Sequence, residues 1–430
     1  MTSVGYFMLK SIVRKEILSN LLSYKFSIIT ILSTILILVS ILVMYGDYLL
    51  AMDNHDILLR NSGKDSGVIR PTPLGIFAKG LDENLCRPWD LEAVGIEISS
   101  EKQKSLNNLF KLFTPPDLLY VIKVILSLCA MLFAFDMVCG EKEAGTLRQS
   151  LSYCLKRPIL IIGKWIGGFI SFILPFFIAV ILGTIFVTLS PMVEMNAQNW
   201  TKLSLFILSS FIYLAIFFSL GLLISCLTHR SSTSLVISLF VWTILVFLIP
   251  NLGNILARQV VRIPTAQQLE LERKRITNRM YFEMKRIPKN QVDSEERQKE
   301  LALRTIKEGD QLDEDYRNSI NKLVKVSRGI TGLSPAPAFT LLATDIMGTG
   351  VSEERRLKKE AQDYKDMVVQ MFFIDGTLTE DSEPPKFHYQ RSSVKEILAG
   401  GGLSNCVILI LLNVLFFSGA YVAFLKYDVR

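Results

Sequence analysis

Residues 133–148 read Phe133-Ala134-Phe135-Asp136-Met137-Val138-Cys139-Gly140-Glu141-Lys142-Glu143-Ala144-Gly145-Thr146-Leu147-Arg148. Within a few residues the chain passes from an apolar run to a short charged segment broken by a glycine. Upstream, Leu118 to Val138 is an apolar run; downstream, Ile159 to Leu189 is another. A helix that crosses a bilayer needs about 20 mainly apolar residues, because ~30 Å of hydrocarbon is covered at ~1.5 Å per residue. Both runs qualify, and the second is long enough to tilt, bend or begin in the interface. Four more runs meet the same test: Phe26 to Tyr45, Leu203 to Leu227, Leu235 to Leu252 and Val407 to Leu425. The fold class expected is an all-α polytopic membrane protein with six transmembrane helices, an amphipathic N-terminal interfacial helix, and a largely helical extracytoplasmic domain between helices five and six.

Composition alone would not decide this. Of 430 residues, 50% are hydrophobic and 20% charged, close to soluble averages. The distribution decides: charge is concentrated in two long stretches between the apolar runs. The expected organisation is an interfacial helix over 1–25, a first span over 26–45 and a first extracytoplasmic region over 46–117. A second span comes next over 118–138, then a cytoplasmic loop over 139–158 and spans three to five within 159–252. A helical extracytoplasmic domain over 253–402 precedes the sixth span and C-terminus, 403–430. The first run is too long for a signal-peptide core, and Tyr45-Gly46-Asp47 is a poor cleavage site, so it reads as a retained span.

Orientation follows from lysine and arginine in the short segments. Lys10, Arg14, Lys15 and Lys25 precede span one; Lys142, Arg148, Lys156 and Arg157 lie between spans two and three; Arg230 lies between spans four and five; Lys426 and Arg430 end the chain. Six spans put all of these on one side, read as the cytoplasm of a bacterial inner membrane, with both termini inside. The connection from Ser190 to Thr201 has no basic residue and carries Glu194. Asn199-Trp200-Thr201 is a formal glycosylation triplet too close to the membrane to be a good acceptor.

The first outer region holds turn signals at Arg70-Pro71-Thr72-Pro73-Leu74-Gly75 and a Thr114-Pro115-Pro116 entry to span two, and is expected to form a small mixed subdomain or packed loop. The second shows helical periodicity from about 265 to 287, a break at Pro288, and an acidic start at Asp293-Ser294-Glu295-Glu296 leading into a helix to about Gly329. These two helices are expected to pack as a hairpin, whose surface could also meet an extracytoplasmic partner. A further helix spans about Ser352 to Phe373, and Ser382 to Pro385 interrupts the chain before the glycines Gly400 to Gly402.

Little here points to catalysis. His55, His229 and His388 are isolated, and no HExxH, GxSxG or paired-cysteine metal signal exists. Gly163-Lys164 lacks the upstream glycine and following Ser/Thr of a phosphate loop. Cys86, Cys129, Cys139, Cys154, Cys226 and Cys406 lie mostly in or near apolar runs, which argues against a disulfide framework. A net charge of +7 without a basic, aromatic-interleaved stripe argues against nucleic acid. Asp136 is the only acid in the spans, near an inner end, which lowers the expectation of an ion-coupled carrier. Lys123 and Lys164 lie near span ends, where long side chains can snorkel to the headgroups.

The segment quoted first, followed by Arg157-Pro158 and Gly163-Lys164, resembles the first cytoplasmic loop of ABC-2-type permeases. There an E-x-E-x-G-T-L-R stretch is followed by a basic-proline turn and a Gly-Lys pair entering the next span. The similarity is nearest to the multicopper-enzyme-maturation (copper-processing-type) permease branch, which Ser334-Pro335, Gly348-Thr349-Gly350 and Lys426-Tyr427-Asp428-Val429-Arg430 also resemble. Sharp motif agreement lies within about 139–164, while the topology agrees over the whole chain.

This resemblance implies a membrane-spanning permease subunit of an ATP-binding cassette transporter. It would couple ATP hydrolysis by a separate ATP-binding subunit to export or extracytoplasmic work. ATP and Mg would reside in that partner, with no catalytic residue, cofactor or metal in this chain. The partner would dock on a coupling helix formed by Glu141, Glu143, Gly145, Thr146, Leu147 and Arg148. Gly145 would allow the turn and Thr146 would cap the residues after it. A second copy or a related permease would complete a dimer. The N-terminal stretch, with Lys10, Arg14 and Lys15 among apolar residues at helical spacing, fits a basic amphipathic helix lying in the lipid interface. Gly163-x-x-x-Gly167 could serve dimer contact, conduction or packing within the chain. Two rivals stand beside the permease: an ATP-driven transmitter that moves no solute, and a membrane receptor or scaffold without an ATPase.

Overall fold

In the computed structural model, the described residues are 3–61, 66–87, 89–92, 95–98, 116–152, 156–287, 294–332, 334–371, 385 and 387–427. Several expected signals lie outside them: Thr114-Pro115, Pro288, Asp293, Leu333, Ser382 to Pro384, Cys154 and Asp428 to Arg430. Helix α1 covers Ser3–Leu21. Ser23 then starts the next helix: its hydroxyl accepts from the Phe26 N–H at 3.2 Å, as a helix N-cap does.

Helix α2, Tyr24–Asn61, has 38 residues. At ~1.5 Å per residue it is about 57 Å long, well beyond the ~30 Å of hydrocarbon. The expected first span, 26–45, is therefore only part of it. Residues 46–61 contain no proline and keep an inward face with Tyr48 and His55 buried, so the helix runs on into the stretch expected to lie outside. That stretch also holds a 3-10 turn, Pro73–Ile76, and a short helix α3, Asp82–Leu85. Three short antiparallel strands complete it: β1 (Ser66–Gly67), β2 (Trp89–Glu92) and β3 (Gly95–Ile98), in that order, with Trp89 opposite Ile98 and Glu92 opposite Gly95. The small mixed unit thus departs from the all-α expectation at one place.

Span two, α4, opens as Leu118–Tyr120, widens into a π turn over Val121–Leu126 and continues as Ser127–Ala134. The wider turn interrupts the regular ladder, and side chains take up the freed carbonyl of Lys123: it accepts from the Tyr213 hydroxyl at 2.9 Å and from Ser127 at 2.6 Å. After two short helices, α5 (Cys139–Glu143) and α6 (Thr146–Ser152), come α7 (Arg157–Thr188) and α8 (Ala197–Leu227). The fifth span, α9, is continuous through Ser231–Thr243, a π turn over Ile244–Leu248, and Ile249–Val260. Among the described residues six helices are long and apolar enough to cross a membrane. Of these α8 is the most buried, and α2, α9 and the last are the least. The most buried helix is the hub, and α2, α7, α9 and the last span turn apolar faces outward, as a lipid environment permits.

Several polar groups in this core are paired. Trp165 donates to Ser219 at 2.9 Å, and Ser219 donates to Asn413 at 3.1 Å, a thread across three spans. Trp242 donates to Ser127 at 3.0 Å.

Helices α10 (Ala266–Arg286) and α11 (Ser294–Thr331) form the expected hairpin. Thr265 and Gln268 form a capping box at the start of α10, and Arg273–Asp313 and Arg279–Glu308 pair across the two helices at 2.6 and 3.3 Å. Helix α12, Pro335–Met347, is buried along most of its length and packs on α8 and the last span. Its Phe339 stacks on Tyr213 with ring centroids 4.3 Å apart. Although α12 falls within the stretch expected outside, it belongs to the packed core, because PAPAFTLLATDIM carries only one charged residue. Ser334 caps it, accepting from Ala336 N–H at 3.2 Å and donating to the Leu245 carbonyl in the π turn of α9 at 2.5 Å. Gly348 ends it in the left-handed region, φ 69°, where a side chain would be strained. Helix α13 spans Val351–Val369. The last span, α14, runs through Val394–Ile397, a kinked π segment over Leu398–Gly402, and Leu403–Lys426.

At one end of the spans the two long connecting regions are tied together. Arg391 donates to the Gly348 carbonyl at 2.6 Å and to Asp82 at 2.7 Å. Thr349 donates to the Ala78 carbonyl at 3.0 Å and accepts from Leu81 N–H at 2.8 Å through its own carbonyl. Buried Glu353 accepts from Tyr389 at 2.8 Å and from Ser392 N–H at 3.0 Å. Burial, reinforced by Glu353, pushes the Tyr389 hydroxyl well above its ordinary pKa. Burial likewise raises the Cys86 thiol, with Asp82 adding to the shift.

Candidate coupling face

At the opposite end, α5 and α6 form a bent segment held by the neighbouring helix ends. The Ser225 hydroxyl accepts from both Val138 N–H and Cys139 N–H at 3.0 Å, satisfying donors that open α5. Ser234 donates to the Phe135 carbonyl at 2.6 Å. Lys142 reaches the Cys226 and Thr228 carbonyls at 2.5 and 3.0 Å, where the end of α8 concentrates partial negative charge. Its ammonium also lies 4.5 Å from the Tyr427 ring centroid. Glu143 accepts from Ser231 N–H at 2.9 Å and so caps the start of α9 from another element. Arg157 donates to the Leu425 and Tyr427 carbonyls at 2.8 and 3.0 Å, closing the end of α14.

The bend itself comes from Gly145, φ 73°, with no atom near its missing Cβ. Thr146 is the first residue of α6 and its hydroxyl lies 3.5 Å from the Glu141 carbonyl. Leu147 is 2% exposed, packed in a cluster with Val138, Leu160, Leu222 and Phe424.

Lys164 does not snorkel. It is buried, with its ammonium 3.0 Å from Glu16 of α1 and 2.8 Å from Glu141 of α5. Three elements therefore meet on one cation. The glycines beside it make this possible. A Cβ on Gly163 would stand 2.6 Å from Ile12, and one on Gly167 2.7 Å from Glu16. The small-residue spacing of α7 is thus occupied by α1 of the same chain. A second ion pair, Lys25 with Asp136, fastens the start of α2 to the end of α4.

A family model described as ABC-2 family transporter protein matches residues 10–429, nearly the whole chain. The chain belongs to the ABC-2 transporter family. It is a multi-pass membrane subunit of an ABC transporter. Members of the family are typically non-catalytic membrane subunits that work with an ABC ATP-binding subunit in a membrane complex. No curated protein matches the sequence.

In this ABC-2 subunit the residues singled out from sequence fall into three sets. Glu143, Thr146 and Arg148 are exposed together with Ala144, Gly145 and Gln149, and they make one outward strip. Glu141 and Leu147 point inward, the first to Lys164 and the second to the apolar cluster. Lys10, Arg14 and Lys15 are exposed on α1. Sequence reasoning missed Glu16, Ser225, Ser231 and the buried role of Lys164. One signal was available: a lysine between glycines in an apolar run needs an anion nearby. The serines gave none, since their role depends on which helix end they meet.

Proposed function

We propose that this subunit receives force from a separate ATP-binding subunit through the strip at 143–149 and passes it to the spans, driving export or extracytoplasmic work. The supporting observation is the way the segment is held. Lys142, Glu143, Ser225 and Lys164 tie it to α1, α7, α8 and α9, so a displacement of the strip is a displacement of those helices. Glu141 contributes by holding the strip in place, while Glu143, Thr146 and Arg148 offer the outward contacts. ATP and Mg belong to the partner. The positively charged short segments support a reading with this face and both termini in the cytoplasm of a bacterial inner membrane, in which a second copy or related permease completes a dimer.

Within the family we place the chain nearest the copper-processing branch, on Ser334-Pro335 and Gly348-Thr349-Gly350. Among the described residues no three of His, Cys, Asp and Glu gather where they could hold a metal ion. The transmitter reading draws support from one observation. Helix α12 packs on α8 and α14 and leads through Gly348 and Glu353 into the tie at the far end, a continuous path from the spans to the helices beyond them.

The test is purification of the tagged chain from its native cells, with its companions identified. An ATP-binding subunit should co-purify and hydrolyse ATP, and Arg148→Glu should weaken its retention. Purification without any ATP-binding subunit under conditions that preserve the folded chain would overturn the reading.

A further inference from the structure

The two sides of α1 have opposite character. Leu9, Ile12, Val13 and Glu16 approach α7 at Gly163 and Gly167. Phe7, Leu18, Leu21 and Leu22 are exposed on the other side, interleaved with exposed Lys10, Arg14 and Lys15. None of these three cations has an ion pair or hydrogen bond among the described residues. The only acid of α1, Glu16, is on the inward side and bound to Lys164.

An exposed apolar face carrying unpaired cations and no acid matches an anionic lipid surface. Leucine and phenylalanine enter the acyl boundary, the lysine and arginine stems lie along it, and the cations meet phosphate groups. The chain path favours a bilayer over a soluble partner, because α1 leads through Leu22 and Ser23 directly into the first span.

The inward side gives this contact a consequence. Glu16 and Glu141 share one buried ammonium, so the position of α1 on α7 sets the environment of the segment that Gly145 bends. We propose that α1 senses anionic lipid headgroups and that the Glu16–Lys164–Glu141 bridge passes their occupancy to the coupling segment. This rests on the docking reading above and deepens it by adding a lipid input to the same face.

The test uses the full chain alone in lipid nanodiscs, so it needs no ATP-binding subunit and its failure leaves the docking reading standing. Hydrogen–deuterium exchange is followed over 139–152 in phosphatidylcholine and in phosphatidylcholine with about one third phosphatidylglycerol. Exchange in that segment should slow on the order of threefold or more with the anionic lipid, as α1 settles on its headgroups. Lys10→Gln, Arg14→Gln and Lys15→Gln combined should abolish the response in both α1 and the segment. Glu16→Leu should keep the response in α1 and lose it in 139–152, and Glu16→Asp should restore it. Exchange over 139–152 that ignores phosphatidylglycerol in the unmodified chain would overturn the proposal. So would a Glu16→Leu variant that responds like the unmodified chain.

Discussion

An ammonium among packed apolar helices is stable only with anions in contact, and Glu16 and Glu141 supply them at 3.0 and 2.8 Å from Lys164. Lys164→Met would leave two largely buried carboxylates facing each other. It should destabilise the protein by ~3–5 kcal/mol, the cost of breaking a buried pair from one side. Replacing all three together, as Glu16→Gln, Lys164→Met and Glu141→Gln, should recover most of that loss in thermal unfolding of the purified chain. If the triple variant is as unstable as the single one, the bridge is not what holds α1 to α7. Glu141→Lys is for the same reason not a surface substitution. Cys86 offers a second test at this scale. The thiolate is the reacting form, and burial raises the Cys86 pKa. At neutral pH maleimide should therefore label Cys86 far more slowly than a cysteine placed at exposed Glu83; equal rates, read by mass spectrometry, would contradict the raised pKa of this half-buried thiol.

For the coupling segment as an element, position is set by helix ends rather than by its own length. Helices α5 and α6 have 5 and 7 residues, too short to persist alone. Ser225→Ala removes the acceptor for two N–H groups and should cost ~1–3 kcal/mol, with faster amide exchange at Val138 and Cys139 as the local signature. Gly145→Ala meets no neighbouring atom, so its penalty is the left-handed backbone alone, ~1–2 kcal/mol. Both variants should also weaken retention of the ATP-binding subunit. A Gly145→Ala chain of unchanged stability would mean the bend relaxes freely.

At the scale of the whole molecule, the basic short segments and the six apolar helices predict one orientation. A cysteine at Glu300 should react with an impermeant reagent on intact cells and one at Gln149 should not. Labelling of position 149 from outside would reverse the chain and remove the coupling face from the cytoplasm.

The six spans were legible because crossing a bilayer demands long uncharged runs, a constraint written in consecutive residues. The α10–α11 hairpin was legible from periodicity, and the Gly145 bend from a glycine breaking a short charged segment. The length of α2 was not, since the same mildly polar residues 46–61 suit a helix or a loop until Tyr48 and His55 find a surface to cover. Nor was the place of α12, whose apolar stretch is too short to announce a span and is settled by its packing on α8 and α14. Glu141 and Glu143 look alike in sequence, two residues apart. Only the tertiary structure separates them, because side chains two apart on a helix face different ways: one meets the buried ammonium of Lys164, the other the open start of α9.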